Sequence, residues 1–263
     1  MRSGLTTVVF VLLVGVAAVV CFGPWYETDS SLMFMALVKL AALLIGALGS
    51  FLVHIQIDPS KTQSRAWLRM AIGLLLFASA QSVLAYHQII LNELVPFPSA
   101  ADPQFVAGTI LLIWALFEFC IYFARSGISL GRLSVFWSPA MITAVVFVCL
   151  VPPLLAPVAS ASGSAAETFL NLFYPIAGFA LLAAGTVALR VGVLMRGGKL
   201  LNIWVPITLG VVTLTASDIL FSYLTSLDIT GIESPIDFLY IAGYLLIARG
   251  VLSQLEMMHK PNN

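Results

Sequence analysis

Charge is scarce in this chain. Only 9% of its 263 residues are Asp, Glu, Lys or Arg, where an ordinary soluble domain carries about a quarter. There is no basic tract, so the electrostatic footprint of a nucleic-acid binder is missing. Cysteine is scarcer still. Cys21, Cys120 and Cys149 each lie alone inside an apolar run. An odd number at wide spacing suits neither a disulfide framework nor a zinc site, and the three read as small core hydrophobes. His54, His87 and His259 are scattered, with no H-x-x-x-H or H-E-x-x-H among them. The sequence holds no Walker loop, no G-x-S-x-G and no dinucleotide fingerprint. The last apolar run has no lysine, which excludes a retinal Schiff base in the usual place. No catalytic residue, metal or cofactor is expected, and the chain reads as a non-enzyme.

What is there is apolar. Sixty per cent of residues are hydrophobic and the mean hydropathy is +1.05, which points to an all-α polytopic membrane protein. Eight apolar stretches of about 20 residues or more are long enough to cross a ~30 Å core. They run from Leu5 to Gly23, Ser31 to Ile55, Ala66 to Leu91, Gln104 to Ala124, Val135 to Pro157, Thr168 to Arg190, Leu200 to Thr225 and Ile236 to Glu256. The first resembles a signal peptide, but it is long and no A-x-A site follows, so it is read as retained. The Pro152-Pro153 pair should kink or stop the fifth. VASASGSAAE, at 158–167, reads as a flexible linker between halves.

The basic residues set a topology. Arg2, Lys61, Arg65, Arg69, Arg125, Arg132, Arg190, Arg196, Lys199, Arg249 and Lys260 fall on one side if the N-terminus is inside. The opposite loops carry Glu27, Asp29, Glu93, Asp102, Glu167, Asp228, Glu233 and Asp237. That is a positive-inside pattern, with both termini cytoplasmic.

Two stretches repeat. Trp67, Gly73, Gln81 and Tyr86 align with Trp204, Gly210, Asp218 and Tyr223 at an offset of 137. Beyond the loop, Asp102, Ala107 and Gly108 align with Asp237, Ala242 and Gly243. KLAALLIGALGS, from Lys39, sits over PIAGFALLAAGT, from Pro175. The expectation is a parallel 4+4 duplication, with residues 1–134 as the first four-helix repeat and 135–263 as the second.

PFPSAADPQFVAG at 96–108, SPIDFLYIAGYLL at 234–246 and the Tyr174-Pro175 pair also carry a resemblance. The chain resembles the multi-helix membrane sensor regions found N-terminal to bacterial diguanylate cyclases and archaeal or bacterial histidine kinases. The group's acidic residue in the third span is Gln81 here, and Asp218 keeps it in the second copy. The resemblance implies a sensor-like protein of a prokaryotic inner membrane. No cyclase, kinase or phosphodiesterase sequence follows the last span. Output is therefore expected through a cytoplasmic signalling protein or other membrane subunits.

The polar residues divide into two groups. Ser99 with Asp102, and Ser234 with Asp237, have the spacing of capping boxes, each carboxylate meeting the positive end of its helix. Lys39 and Asp218 lie deeper, roughly 10–12 Å below the outer surface at 1.5 Å per residue. An ionisable group at that depth costs several kcal/mol unless paired or hydrated. Two readings stand side by side: a structural ion pair between them, or a ligand pocket of Lys39, Gln81, Tyr86, Asp218 and Tyr223. Glu118 is expected to pair structurally near the level of Arg69 and Arg249. The rival functions are a subunit of a membrane complex, a small-molecule or lipid transporter, and a lipid-acting enzyme. An Asp218→Asn variant should change ligand binding or partner output; an unchanged response removes that pocket as the sensing site.

Overall fold

A computed structural model describes residues 2–24, 26, 28–93, 95–126, 137–160, 164–194, 198–226 and 233–259. Among these the backbone forms eight long helices and no strand. They are α1 (Arg2–Phe22), α2 (Asp29–Gln56), α3 (Thr62–Ala85), α4 (Asp102–Arg125), α5 (Ser138–Ser160), α6 (Ala165–Leu194), α7 (Leu201–Ser226) and α8 (Glu233–Met258). A π-helical turn, Tyr86–Leu91, extends α3.

Six of the helices are long and apolar enough to cross a membrane: Asp29–Gln56, Thr62–Leu91, Asp102–Arg125, Ala165–Leu194, Leu201–Leu224 and Pro235–Met258. Thr6–Phe22 and Ser138–Pro153 are shorter apolar stretches. Large apolar side chains face outward along them, among them Val11, Leu37, Leu48, Ile72, Ile110 and Ile142. Water would not tolerate so much exposed hydrocarbon. The protein is membrane-embedded, with lipid as the solvent of this surface.

The proline expectation is corrected in one respect. The Pro152-Pro153 pair does not stop α5, which continues to Ser160. Likewise α6 and α7 run through Pro175 and Pro206; in a membrane helix, packing neighbours hold the chain across a missing N–H. The linker read at 158–167 is shorter than expected. Residues 161–163 lie outside the described ones, and α6 already begins at Ala165. Its start is capped reciprocally. The Ser164 N–H donates to Glu167 Oε2 at 3.1 Å and the Glu167 N–H to Ser164 Oγ at 3.2 Å.

The helices pack by small residues. A Cβ on Gly73 would lie 3.0 Å from the Gly108 carbonyl oxygen, and one on Gly210 would lie 2.7 Å from that of Gly243. So α3 meets α4, and α7 meets α8, nearly backbone to backbone. Their loop-joined ends make both pairs antiparallel. By contrast α2 runs parallel to α8, with Gly46 on Ala248 and Gly49 on Val251. At the centre, Phe119 of α4 sits edge-on between Trp67 of α3 (5.0 Å) and Trp204 of α7 (5.1 Å). All three are buried.

The two ends of the bundle differ in charge. Arg65, Arg69, Arg125, Arg190 and Arg249 mark a basic end. Asp29, Asp102, Glu167 and Asp237, at the starts of the even-numbered helices, mark an acidic end. Arg69 of α3 pairs with Glu118 of α4 at the basic end and stacks over Trp114, 4.3 Å from its ring centroid. Arg249 instead bonds Thr7 Oγ1 (2.9 Å) and Ser253 and lies 3.8 Å from Glu256. In the α2–α3 loop the Ser60 N–H, and then its hydroxyl, donate to Asp58 and hold that carboxyl below the usual carboxylate range.

A methyl added at Gly210 has nowhere to go, because its nearest neighbour is backbone. Overpacking of this kind costs about 1–3 kcal/mol. Gly210→Ala should therefore lower the melting temperature of the detergent-extracted protein. Gly15→Ala, with nothing within 4 Å of the new Cβ, should leave it unchanged.

Candidate functional site

The acidic end holds four hydrogen-bonded groups. Each begins with a residue whose place in its helix puts a polar atom below the apolar rim.

Asp102 opens α4. One carboxylate oxygen accepts the Ser99 N–H (2.6 Å) and hydroxyl (3.0 Å), while Ser99 Oγ takes the Ala101 N–H at 3.2 Å. The spacing that suggests a capping box thus brings these atoms together. The other oxygen is left over, and it accepts the Tyr174 hydroxyl of α6 at 2.7 Å. The N-cap position itself is Ala101, without a side-chain cap. The expected box becomes a closed turn ahead of α4, and that turn and a long-range contact share one carboxylate.

Asp237 lies in the first turns of α8. Its carboxylate pairs with Lys39 of α2, and the Tyr26 hydroxyl, just before α2, donates to it at 3.3 Å. The side chain of Ser234, the expected cap partner, lies outside the described residues. Lys39 is 9% exposed. This corrects the expectation that Lys39 approaches Asp218. The reason is helix order: α2 packs in parallel on α8, so its acidic-end residues face Asp237.

Asp218 of α7 has a different donor, the Tyr240 hydroxyl of α8, at 2.8 Å. Gln81 of α3, its counterpart at the offset of 137, is 7% exposed and gives its Nε2 hydrogen to the Tyr244 hydroxyl at 3.3 Å. Tyr240 and Tyr244 stand one turn apart and stack, with centroids 6.2 Å apart and planes at 24°. They join Gln81 to Asp218 through one aromatic pair.

Of the expected pocket, the structure thus draws Gln81 and Asp218 together through tyrosines and sends Lys39 to Asp237. Tyr86 falls in the π-helical turn and is 52% exposed, so its ring lies outside the cluster. Tyr223 is partly buried on α7, five residues beyond Asp218.

Sequence reasoning missed the tyrosines as partners. Tyr26, Tyr174, Tyr240 and Tyr244 supply a donor or acceptor to Asp237, Asp102, Asp218 and Gln81. A signal was present: Tyr240 and Tyr244 fall at i and i+4 in an otherwise apolar helix, and buried tyrosine hydroxyls need partners.

Chemically this is a layer of oxygens with few cations. Lys39 pairs with Asp237, while Asp102 and Asp218 take tyrosine hydroxyls. Among the described residues no trio of His, Cys, Asp or Glu stands together as a metal site. No family model, no curated protein and no solved structure matches the chain.

Removing one partner of a buried ion pair costs more than removing both, because a lone charge is left behind. Lys39→Met should destabilise the protein by up to about 3 kcal/mol, less to the extent that Asp237 keeps its partial exposure. The double variant Lys39→Met/Asp237→Leu should regain most of that loss. Thermal melts of the two single variants, the double variant and wild type measure the coupling.

Proposed function

We propose that this protein is a non-enzymatic, sensor-type membrane protein that binds a ligand at its acidic end and passes its state to a separate partner. One observation carries the reading: the acidic-end contacts bridge the two halves of the chain. Lys39 and Tyr26 reach Asp237, Gln81 reaches Tyr244, and Asp102 takes Tyr174. The Asp218–Tyr240 bond, like the local Ser99–Asp102 bonds, lies within one half. A ligand that competes for these donors changes how the halves meet. Such a shift follows only if the ligand favours one arrangement over the other, and a layer built from exchangeable hydrogen bonds offers that difference. The basic end, with Arg65 and Arg125 at helix ends and Lys199 in a loop, is the surface for a cytoplasmic partner.

The finer architecture belongs to the same proposal. The chain crosses the inner membrane of a prokaryote eight times, N-in and C-in, as two parallel repeats, 1–134 and 135–263. The glycine contacts support the duplication. Phe77 packs on Gly108 as Leu214 packs on Gly243, and Leu112 packs on Gly73 as Ile247 packs on Gly210. Each pair keeps the sequence offset of its helix. The segregation of arginines at one end supports the orientation.

Mass spectrometry of the protein extracted gently in native lipid should find a stoichiometric cytoplasmic signalling protein or a retained small molecule. Recovery with other integral subunits and no ligand would replace the sensor by a structural role. Orientation has its own test. In a cysteine-free background, Ala100→Cys should react with an impermeant maleimide in intact cells, and Ser60→Cys only after the membrane is opened.

A further inference from the structure

The α6–α7 seam contains a feature the hydrogen-bonded layer does not use. Along α6, Gly185, Gly178 and Asn171 follow one another at seven-residue steps; along α7, so do Thr208, Thr215 and Ser222. The first two layers are in contact. Thr208 Oγ1 donates to the Gly185 carbonyl at 3.0 Å, and a Cβ on Gly178 would lie 2.8 Å from Thr215. Two helical turns further toward the acidic end, the same register sets Asn171 opposite Ser222. Here the pattern changes, because an amide replaces glycine.

Both residues are buried, Asn171 at 8% and Ser222 at 0% exposure. Asn171 Oδ1 and Ser222 Oγ have no protein hydrogen-bond partner. A third acceptor is near them. Pro175 has no N–H to give to the carbonyl four residues back, and that carbonyl belongs to Asn171. The fourth is Asp218, one turn from Ser222 on the same face of α7. Among the described residues its carboxylate takes the Tyr240 hydroxyl as donor, which leaves the other oxygen for a ligand.

We propose that Asn171, Ser222 and Asp218 form a binding site for a sodium ion between α6 and α7. The ligands would be Asn171 Oδ1, the Asn171 carbonyl, Ser222 Oγ and an Asp218 oxygen. Every group is an oxygen acceptor, which suits a hard cation. Freed backbone carbonyls in membrane helices serve sodium in this way. One carboxylate balances one charge, and the set is short of the six to eight oxygens calcium takes. The close seam one layer away keeps the site narrow and favours a bare ion over an organic amine. The site also gives a cation to Asp218, whose donor is a neutral hydroxyl. The inference goes beyond the sensor reading and stands whatever the protein signals to.

Wild-type protein, purified without sodium, decides the first question. It should bind radioactive sodium saturably, and it should melt several degrees higher in sodium chloride than in N-methyl-D-glucamine chloride at equal ionic strength. Equal melting in both salts with no saturable binding, as expected if a water alone bridges Asn171 and Ser222, overturns the proposal. Asn171→Ala and Ser222→Ala should each lose the sodium-dependent shift while still folding in the sodium-free buffer. A shift that persists in both overturns the placement. Should either variant fail to fold, Ser222→Thr keeps the oxygen and should keep the shift, against Ser222→Val, which matches its shape and should lose it.

Discussion

Within an apolar slab, a polar group has no water to fall back on, and this one constraint orders the structure. Lys39, Gln81 and Asp102 are buried and Asp218 and Asp237 half-buried, and each is answered by another side chain. Helix packing decides which. Because α2 lies parallel on α8, Lys39 meets Asp237. Because α7 lies antiparallel on α8, Asp218 meets Tyr240. The polar layer is thus a readout of the helix arrangement and also fixes it, since any slip of register strands several groups at once. Tyrosine is well suited to the task. Its ring is at home against Phe77 and its neighbours, and its hydroxyl reaches the carboxylate.

The two ends of the bundle solve the same problem differently. At the basic end the pair Arg69–Glu118 joins adjacent helices of one antiparallel hairpin and is backed by Trp114. Such a bond stiffens the hairpin. At the acidic end the bonds run between elements far apart in sequence, and most end in a neutral phenol. Such bonds carry no second charge, so those to Asp102 and Asp218 leave each carboxylate without a counter-ion among the described residues. Between the ends, glycine contacts and the Trp67–Phe119–Trp204 stack leave little freedom.

Much of this was legible in the sequence. Long apolar runs place the helices to within a few residues, since hydropathy over 20 positions is a strong signal. The small residues at 73, 108, 210 and 243 mark close packing because nothing else fits between backbones. The Ser99–Asp102 spacing is local, so it could be read without knowing the fold. The pairing of Lys39 could not. Both Asp218 and Asp237 offered a suitable charge, and only the three-dimensional neighbourhood of α2 chooses between them. Tyr86 looked like a cluster member by depth, but a π-helical turn rotates the residues at the end of α3, and no sequence pattern announced it. The prolines misled for a related reason. Pro152 and Pro153 break helices in water, whereas in a bundle the neighbouring helices hold the chain in place.

The Lys39–Asp237 pair spans 198 residues of chain, and that separation has a consequence for biosynthesis. Translation proceeds at about 5–20 residues per second. The ammonium therefore enters the bilayer roughly 10–40 seconds before its carboxylate exists. Until then it must stretch toward the headgroups along its own methylenes. When α8 arrives, its carboxylate finds a charge already waiting in α2.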